Sequence, residues 1–284
     1  MPPSVTCSFC GNEVPPPSQA CPHCGRPGRF WNVLAADEPE ERAALDRRYQ
    51  AARNDADARN VGAILLDFEN VLSNSKAVIA RFESEVQRLA HSTRQLHSTY
   101  YKLRDAELRL PDGNEWDILR ELADTVLFPN YKEHIRFGAL SLDGSGLPNY
   151  GECAIVLREG MIAHRASVFE ENSALFVERH EIKISRKPNV PKGYRASWGE
   201  RARLGIAKLH SQIDSATSPD KYSQILLKAG ATSADDDFIE VHIFGPMTVL
   251  TMERVIVLAQ QTSKRATIVK AIKSKLAKHN VQVN

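Results

Sequence analysis

Between residues 62 and 109 the apolar positions step by three and four: Leu65, Phe68, Leu72, Ser75, Ile79, Phe82, Val86, Leu89, Thr93, Leu96, Tyr100 and Leu103. Ten of these twelve are apolar, and the stretch holds no proline and no glycine after Gly62. That is a heptad stripe on a helix. Asn70, Ser73, Asn74 and Ser75 interrupt it, so the pattern predicts either one helix of about 70 Å or two helices that break there. Upstream, Asp37 suits a cap, Pro39 the first turn, and Glu40 and Glu41 the positive end of a helix dipole. A polar helix to about Asn60 follows. The expectation is a helical, coiled-coil-like spacer over 37–110, its 62–109 stripe buried on a neighbour or on a second copy of the chain.

Beyond Leu110-Pro-Asp-Gly113 the period changes. Trp116 to Leu127 has helical spacing. Ile135–Leu142 and Glu152–Leu157 read as strands, with Asp143-Gly-Ser-Gly146 as a turn between them. A helix is expected from Ser197 to Leu209 and a shorter one from Tyr222 to Lys228. In Phe238-Ile-Glu-Val-His-Ile-Phe244, Ile239, Val241 and Ile243 alternate onto one face, so Glu240 and His242 share the other, about 7 Å apart. A carboxylate beside an imidazole serves acid–base chemistry or grips a ribose hydroxyl; an edge strand whose polar face meets water gives the same pattern. Residues 263–279 form an amphipathic helix with Ile268, Val269, Ile272 and Leu276 on one side. The fold class expected is α+β: a small N-terminal unit (1–31), the helical middle (37–110) and a mixed domain (115–284).

Composition narrows this little. Of 284 residues, 42% are hydrophobic and 25% charged, enough for a packed core and too balanced for a disordered chain. The net charge of +2 announces no polyelectrolyte partner. Locally, Lys264, Arg265, Lys270, Lys273, Lys275 and Lys278 line one helix without an acid, either a solvated face or a surface for an acidic protein or nucleic acid. The N-terminus lacks the pattern of a secretory signal, and no run approaches the roughly 18–20 apolar residues of a membrane span. A soluble, cytoplasmic protein with no membrane contact is expected.

The cysteines are unevenly placed: four of five fall within the first 24 residues. Cys7-Ser-Phe-Cys10-Gly and Cys21-Pro-His-Cys24-Gly are two CxxC pairs separated by ten residues. Two thiolates on a tight turn hold one side of a tetrahedral Zn²⁺, and Gly11 and Gly25 permit the positive φ such turns need. The spacing resembles the short zinc ribbons at the N-termini of many bacterial proteins. Four ligands imply a structural metal whose binding is coupled to folding. Arg26, Arg29, Phe30 and Trp31 follow, a set that either stacks on nucleic acid or docks the ribbon onto the next domain; docking is the favoured reading. Cys153, inside an apolar strand, is expected to be a small buried thiol.

Two further blocks belong together: Phe137-Gly-Ala-Leu-Ser-Leu142 with Tyr150-Gly-Glu-Cys-Ala-Ile-Val-Leu157, Arg165-Ala-Ser-Val-Phe169 and Asn172-Ser173; and Asp237-Phe-Ile-Glu240-Val-His242-Ile-Phe-Gly245-Pro. Over roughly 135–257 they resemble uncharacterised bacterial and phage-associated domains that look like mono-ADP-ribosyltransferases. The resemblance implies an NAD-binding fold in which Glu240 is the catalytic glutamate with His242 beside it, Arg136 or Arg165 holds the NAD phosphates, and Ser167 stands in the nicotinamide-side serine position. The order Glu240-Val-His242 departs from the Gln/Glu-x-Glu pair of those enzymes, and their Ser-x-Ser strand motif is absent. Two functions are therefore expected in competition. One is NAD cleavage or ADP-ribosyl transfer in an effector or defence setting, with Glu240, His242, Arg165 and Ser167 in one cleft. The other is a non-enzymatic zinc-ribbon module that binds nucleic acid or an acidic protein, with no pocket at the Glu240 strand.

Overall fold

The computed structural model of the chain describes residues 5–6, 11–14, 21–24, 30–97, 99, 101, 115–185, 188–258 and 263–284. In chain order the described elements begin with a hairpin of β1 (Val5–Thr6) and β2 (Glu13–Val14), then α1 (Trp31–Ala36), α2 (Pro39–Ala58), α3 (Gly62–Leu72), β3 (Lys76–Arg81) and α4 (Glu83–Leu89). Next come α5 (Glu115–Leu127), β4 (Ile135–Ser141), β5 (Cys153–Leu157), α6 (Glu159–Ile162), β6 (Ala166–Phe169), α7 (Ser173–Arg179) and β7 (Arg195–Ser197). The chain closes with α8 (Arg201–Leu209), α9 (Tyr222–Leu226), the short pair β8 (Leu227–Lys228) and β9 (Asp237–Phe238), then β10 (Glu240–Phe244), β11 (Met252–Val257), α10 (Ser263–Ala277) and β12 (Gln282–Val283).

Eight strands form one sheet in the order β12-β11-β5-β3-β4-β10-β6-β7. Every pairing is antiparallel except β11 with β12. The fold is mixed α+β around this sheet. Its one face, carrying Ile79, Ile155, Val168, Val241 and Ile243, packs on α2, α3, α8 and α10 through Leu45, Leu65, Phe68, Leu72, Leu204 and Ile272. Gly205 lets α8 sit close to α3, since a Cβ there would fall 2.7 Å from a Leu72 methyl. The opposite face buries Ile135, Phe169 and Phe244 beneath α5 and α7.

The helical middle needs correction. α2 and α3 form where the spacing places helices, but Lys76–Arg81 is a strand between β5 and β4. Its four inner residues are buried on both faces, so its apolar run is continuous and carries no period that separates strand from helix. The break falls at the polar interruption. Ser73 Oγ donates to the Glu69 carbonyl (3.0 Å), Asn74 Nδ2 to Asn70 (3.1 Å) and Ser75 Oγ to Leu72 (2.7 Å). The Asn74 and Ser75 side chains thus meet the Asn70 and Leu72 carbonyls, which a continuing helix would have bonded through the N–H four residues on, and Ser73 doubles the bond to Glu69. The stripe side chains Leu65, Phe68, Leu72, Ile79, Val86 and Leu89 lie in this chain's own core, not on a face for a second copy. Likewise the boundary expected near 115 does not separate two cores, because β3 and β4, from either side of it, are neighbours in one sheet.

The later expectations hold closely. Strands occupy 135–141, 153–157 and 240–244, helices 115–127, 201–209 and 222–226. Cys153 is fully buried. Phe30 packs against Phe244 and His164, and Trp31 stacks on Tyr131; the two aromatics anchor α1 to the body of the chain. No described helix is long and apolar enough to cross a membrane.

Candidate active-site cleft

β10 lies in the sheet interior, and Glu240 and His242 on its polar face are buried. Glu240 pairs with Ala139 and Phe169 across the strands, and His242 with Phe137 and Ser167. Phe128 and Phe137 present the His242 ring with edge contacts, at 4.7 and 5.5 Å between centroids. A carboxylate in such surroundings must find donors or take up a proton. Glu240 finds three. His242 Nε2 lies 2.8 Å from Oε2, the Ser173 backbone N–H donates to Oε2 at 3.1 Å, and Arg120 Nη1 approaches Oε1 at 3.3 Å. Because an ionised carboxylate only accepts, the His242 nitrogen facing it carries the proton. Burial pushes the Glu240 carboxyl up, but Arg120, His242 and Ser173 outweigh it and hold the group at about 2. Glu240 is therefore a fixed anion at neutral pH, suited to stabilising positive charge and unsuited to donating a proton.

Arg120 comes from α5, 120 residues away in sequence. Its guanidinium lies 3.7 Å from the Phe137 ring centre, and Nε is 3.3 Å from Asp124 Oδ1 one helical turn on. Burial works against its charge, yet Asp124 and Glu240 raise its pKa above the ordinary value. Asp124 in turn accepts from Tyr101 Oη at 2.8 Å. Burial pushes the Asp124 carboxyl up against the pull of Arg120 and Tyr101. The result is a chain of polar contacts, Tyr101–Asp124–Arg120–Glu240–His242, under an aromatic roof.

In front of Glu240 opens a cleft of about 360 Å³, at the small end of the range for ligand pockets. Val78, Ala139, Leu147 and Phe238 form an apolar wall, and Arg120, Asn149, Tyr150 and Asn172 supply polar groups. Asn172 caps α7 through the Ala174 N–H (3.0 Å) and turns its amide N–H to Tyr150 Oη (3.3 Å). Burial, with the Glu240 charge adding to it, pushes the Tyr150 hydroxyl up to about 12, so it keeps its proton at neutral pH.

The residues proposed from sequence divide sharply. Glu240 lines the cleft, and His242 sits directly behind it. Ser167 lies opposite His242, its hydroxyl accepting from Asn32 Nδ2 (3.1 Å), which also reaches the Arg165 and His242 carbonyls. Neither arginine reaches the cleft. Arg165 Nη1 donates to the Phe244 and Pro246 carbonyls (2.6 and 2.9 Å) and Nε to Met161 (3.0 Å). Arg136 occupies the register position of Ile243, on the other face from Glu240. It donates to the His97 and His134 carbonyls, and burial with Arg165 and Arg81 nearby lowers its pKa to about 10. Both arginines spend their donors on the backbone, so the expected convergence of Arg165 with Glu240 is not met. Sequence reasoning missed Arg120, Asp124, Asn149 and Tyr150 as cleft groups. Tyr150 and Asn172 stood inside blocks already singled out; Arg120 and Asp124 gave no sign beyond an ordinary i,i+4 pair.

At the N-terminus, Cys21 is buried and Cys24 exposed, while Cys7, Cys10 and Gly25 lie outside the described residues. The β1–β2 hairpin brackets the first CxxC pair, and Gly11 has φ +73°, the left-handed turn the knuckle requires. Among the described residues no group of three His, Cys, Asp or Glu side chains is placed to hold a metal. No family model matches the chain, and no curated protein matches it.

Proposed function

We propose that the chain is an enzyme that breaks the N-glycosidic bond of NAD at the Glu240 cleft, releasing nicotinamide and passing ADP-ribose to water or to an acceptor. The supporting observation is the position of Glu240, a carboxylate held ionised at the base of a ligand-sized cleft. As the ribose C1′–nitrogen bond breaks, its electron pair goes to the nicotinamide ring and positive charge develops on the ribose. A preorganised anion beside that carbon lowers the barrier. An oxygen of water or acceptor then bonds to C1′, and its proton leaves to solvent. His242 and the Ser173 N–H keep the carboxylate in place; Asn172 and Tyr150 are positioned to meet sugar hydroxyls. Ser167, Arg136 and Arg165 act as supports of the sheet in this proposal, not as ligands of NAD.

The non-enzymatic alternative expects no pocket beside the Glu240 strand; the cleft there favours the enzyme. A structural zinc on Cys7, Cys10, Cys21 and Cys24 remains part of the proposal, supported by the spacing and by Gly11. Nicotinamide release from NAD by purified protein, with and without cell lysate as acceptor source, tests the activity. No release in either condition would remove the proposal.

A further inference from the structure

Glu240 has one oxygen committed to the protein and one committed to Arg120. Oε2 takes both the His242 ring and the Ser173 N–H, whereas Oε1 is covered by the Arg120 guanidinium. With Arg120 in place the Glu240 side chain is 3% exposed and that of Arg120 19%. Any ligand entering the cleft therefore meets the arginine before the carboxylate. A glutamate that is to touch a sugar must first lose this cover.

The cover rests on the Phe137 ring, 3.7 Å from the guanidinium, and on two long contacts to carboxylates. Arg120 stands 3.3 Å from both Glu240 and Asp124, longer than the roughly 2.7–2.9 Å of strong charge-assisted bonds. Its two contacts also differ in kind. Nε faces Asp124, next to the backbone of its own helix and fixed in turn by Tyr101, whereas Nη1, at the end of the fork, faces Glu240. Rotation about the Cδ–Nε bond turns Nη1 off Glu240 while Nε stays beside Asp124. After that swing Oε2 keeps both its donors, so the carboxylate stays anchored and only Oε1 is released.

We propose that Arg120 is a ligand-operated latch: an anionic group on the incoming sugar draws the guanidinium fork away from Glu240 and so exposes Oε1 to a sugar hydroxyl. The site then selects anionic, phosphate-bearing pentoses over neutral ones, because a neutral sugar offers no charge to take the place of the Glu240 carboxylate at the end of the fork. A guanidinium matches phosphate in a two-pronged geometry that an ammonium does not reproduce. The latch rests on the reading of the cleft as a sugar site, but not on cleavage of NAD.

Calorimetric titration of the full chain with ribose 5-phosphate and with ribose tests it. The expected result is at least about tenfold tighter binding of the phosphate by wild type, with the preference reduced to within about twofold in Arg120→Gln and only partly restored by Arg120→Lys. Equal binding of the two sugars by wild type, or binding of neither, overturns the latch, and this comparison stands even if Arg120→Gln does not fold. A phosphate preference without nicotinamide release sinks the NAD activity and leaves the latch. Nicotinamide release with no phosphate preference does the reverse.

Discussion

His242 Nε2 lies 2.8 Å from Glu240 Oε2 on the same face of β10, both side chains nearly inaccessible to solvent. Two residues apart on a strand, they point the same way, and the neighbouring strands β4 and β6 close over them with Phe137 and Phe169. This contact joins the packing of the sheet to the chemistry of the cleft. His242→Ala removes it and leaves a void beneath Phe128 and Phe137. A loss of about 2–4 kcal/mol is expected, read as a lower urea midpoint with unchanged slope.

The Glu240 carboxyl sits at about 2 in the folded chain against an ordinary 4.5. A depressed carboxyl stabilises the fold above its unfolded pKa, and that contribution is lost as pH falls from 4.5 through 2. Its size is on the order of 3 kcal/mol at neutral pH. Asp124 is shifted the other way, above 3.8, so its contribution opposes folding as pH rises. Denaturation of wild type and Glu240→Gln across pH 2–5 should give a shallower pH dependence for the variant. Parallel curves would mean that Glu240 is not the anion described.

Ile79 distinguishes a sheet core from a coiled-coil seam. It is 1% exposed in β3 and pairs with Ile155. Ile79→Ala should cost about 2–5 kcal/mol without altering the molecular mass in solution. A change from dimer to monomer with little loss of stability would favour the seam.

The N-terminal cysteines should bind one zinc per chain. Metal analysis of anaerobically purified protein is expected to return about one equivalent, and Cys21→Ser to abolish retention. Less than about half an equivalent in wild type would contradict a four-cysteine site.

Which of these features could be read from sequence depended on how each residue signals its surroundings. β10 was legible because Ile239, Val241 and Ile243 alternate with polar residues, and period two survives any context. The burial of its polar face was not legible, since an edge strand and an interior strand with a functional face share one pattern. β3 was hidden by its length: Ala77-Val-Ile-Ala80 is buried on both sides, and Ile79 fitted the heptad spacing by coincidence. The break before it could be placed, because Ser73, Asn74 and Ser75 compete for helix carbonyls. Arg120 and Asp124 resemble a solvent-facing pair on α5, and only the packing of that helix over β4 and β10 turns them toward Glu240. Arg136 and Arg165 illustrate the converse. The resemblance assigned them to the phosphates of NAD, and in the folded chain they donate to backbone carbonyls instead.

In the proposed reaction the Glu240 carboxylate promotes loss of nicotinamide from NAD. That role is tested most directly by following nicotinamide release from NAD by wild type and by Glu240→Gln, with circular dichroism to verify that both are folded. Glu240→Gln keeps the shape and removes the charge, and loss of one preorganised electrostatic group costs on the order of 100-fold or more in rate. Release by wild type with a decrease of at least about 100-fold in the variant is the expected result. Equal release by the two folded proteins, or none from wild type with or without lysate, would contradict it.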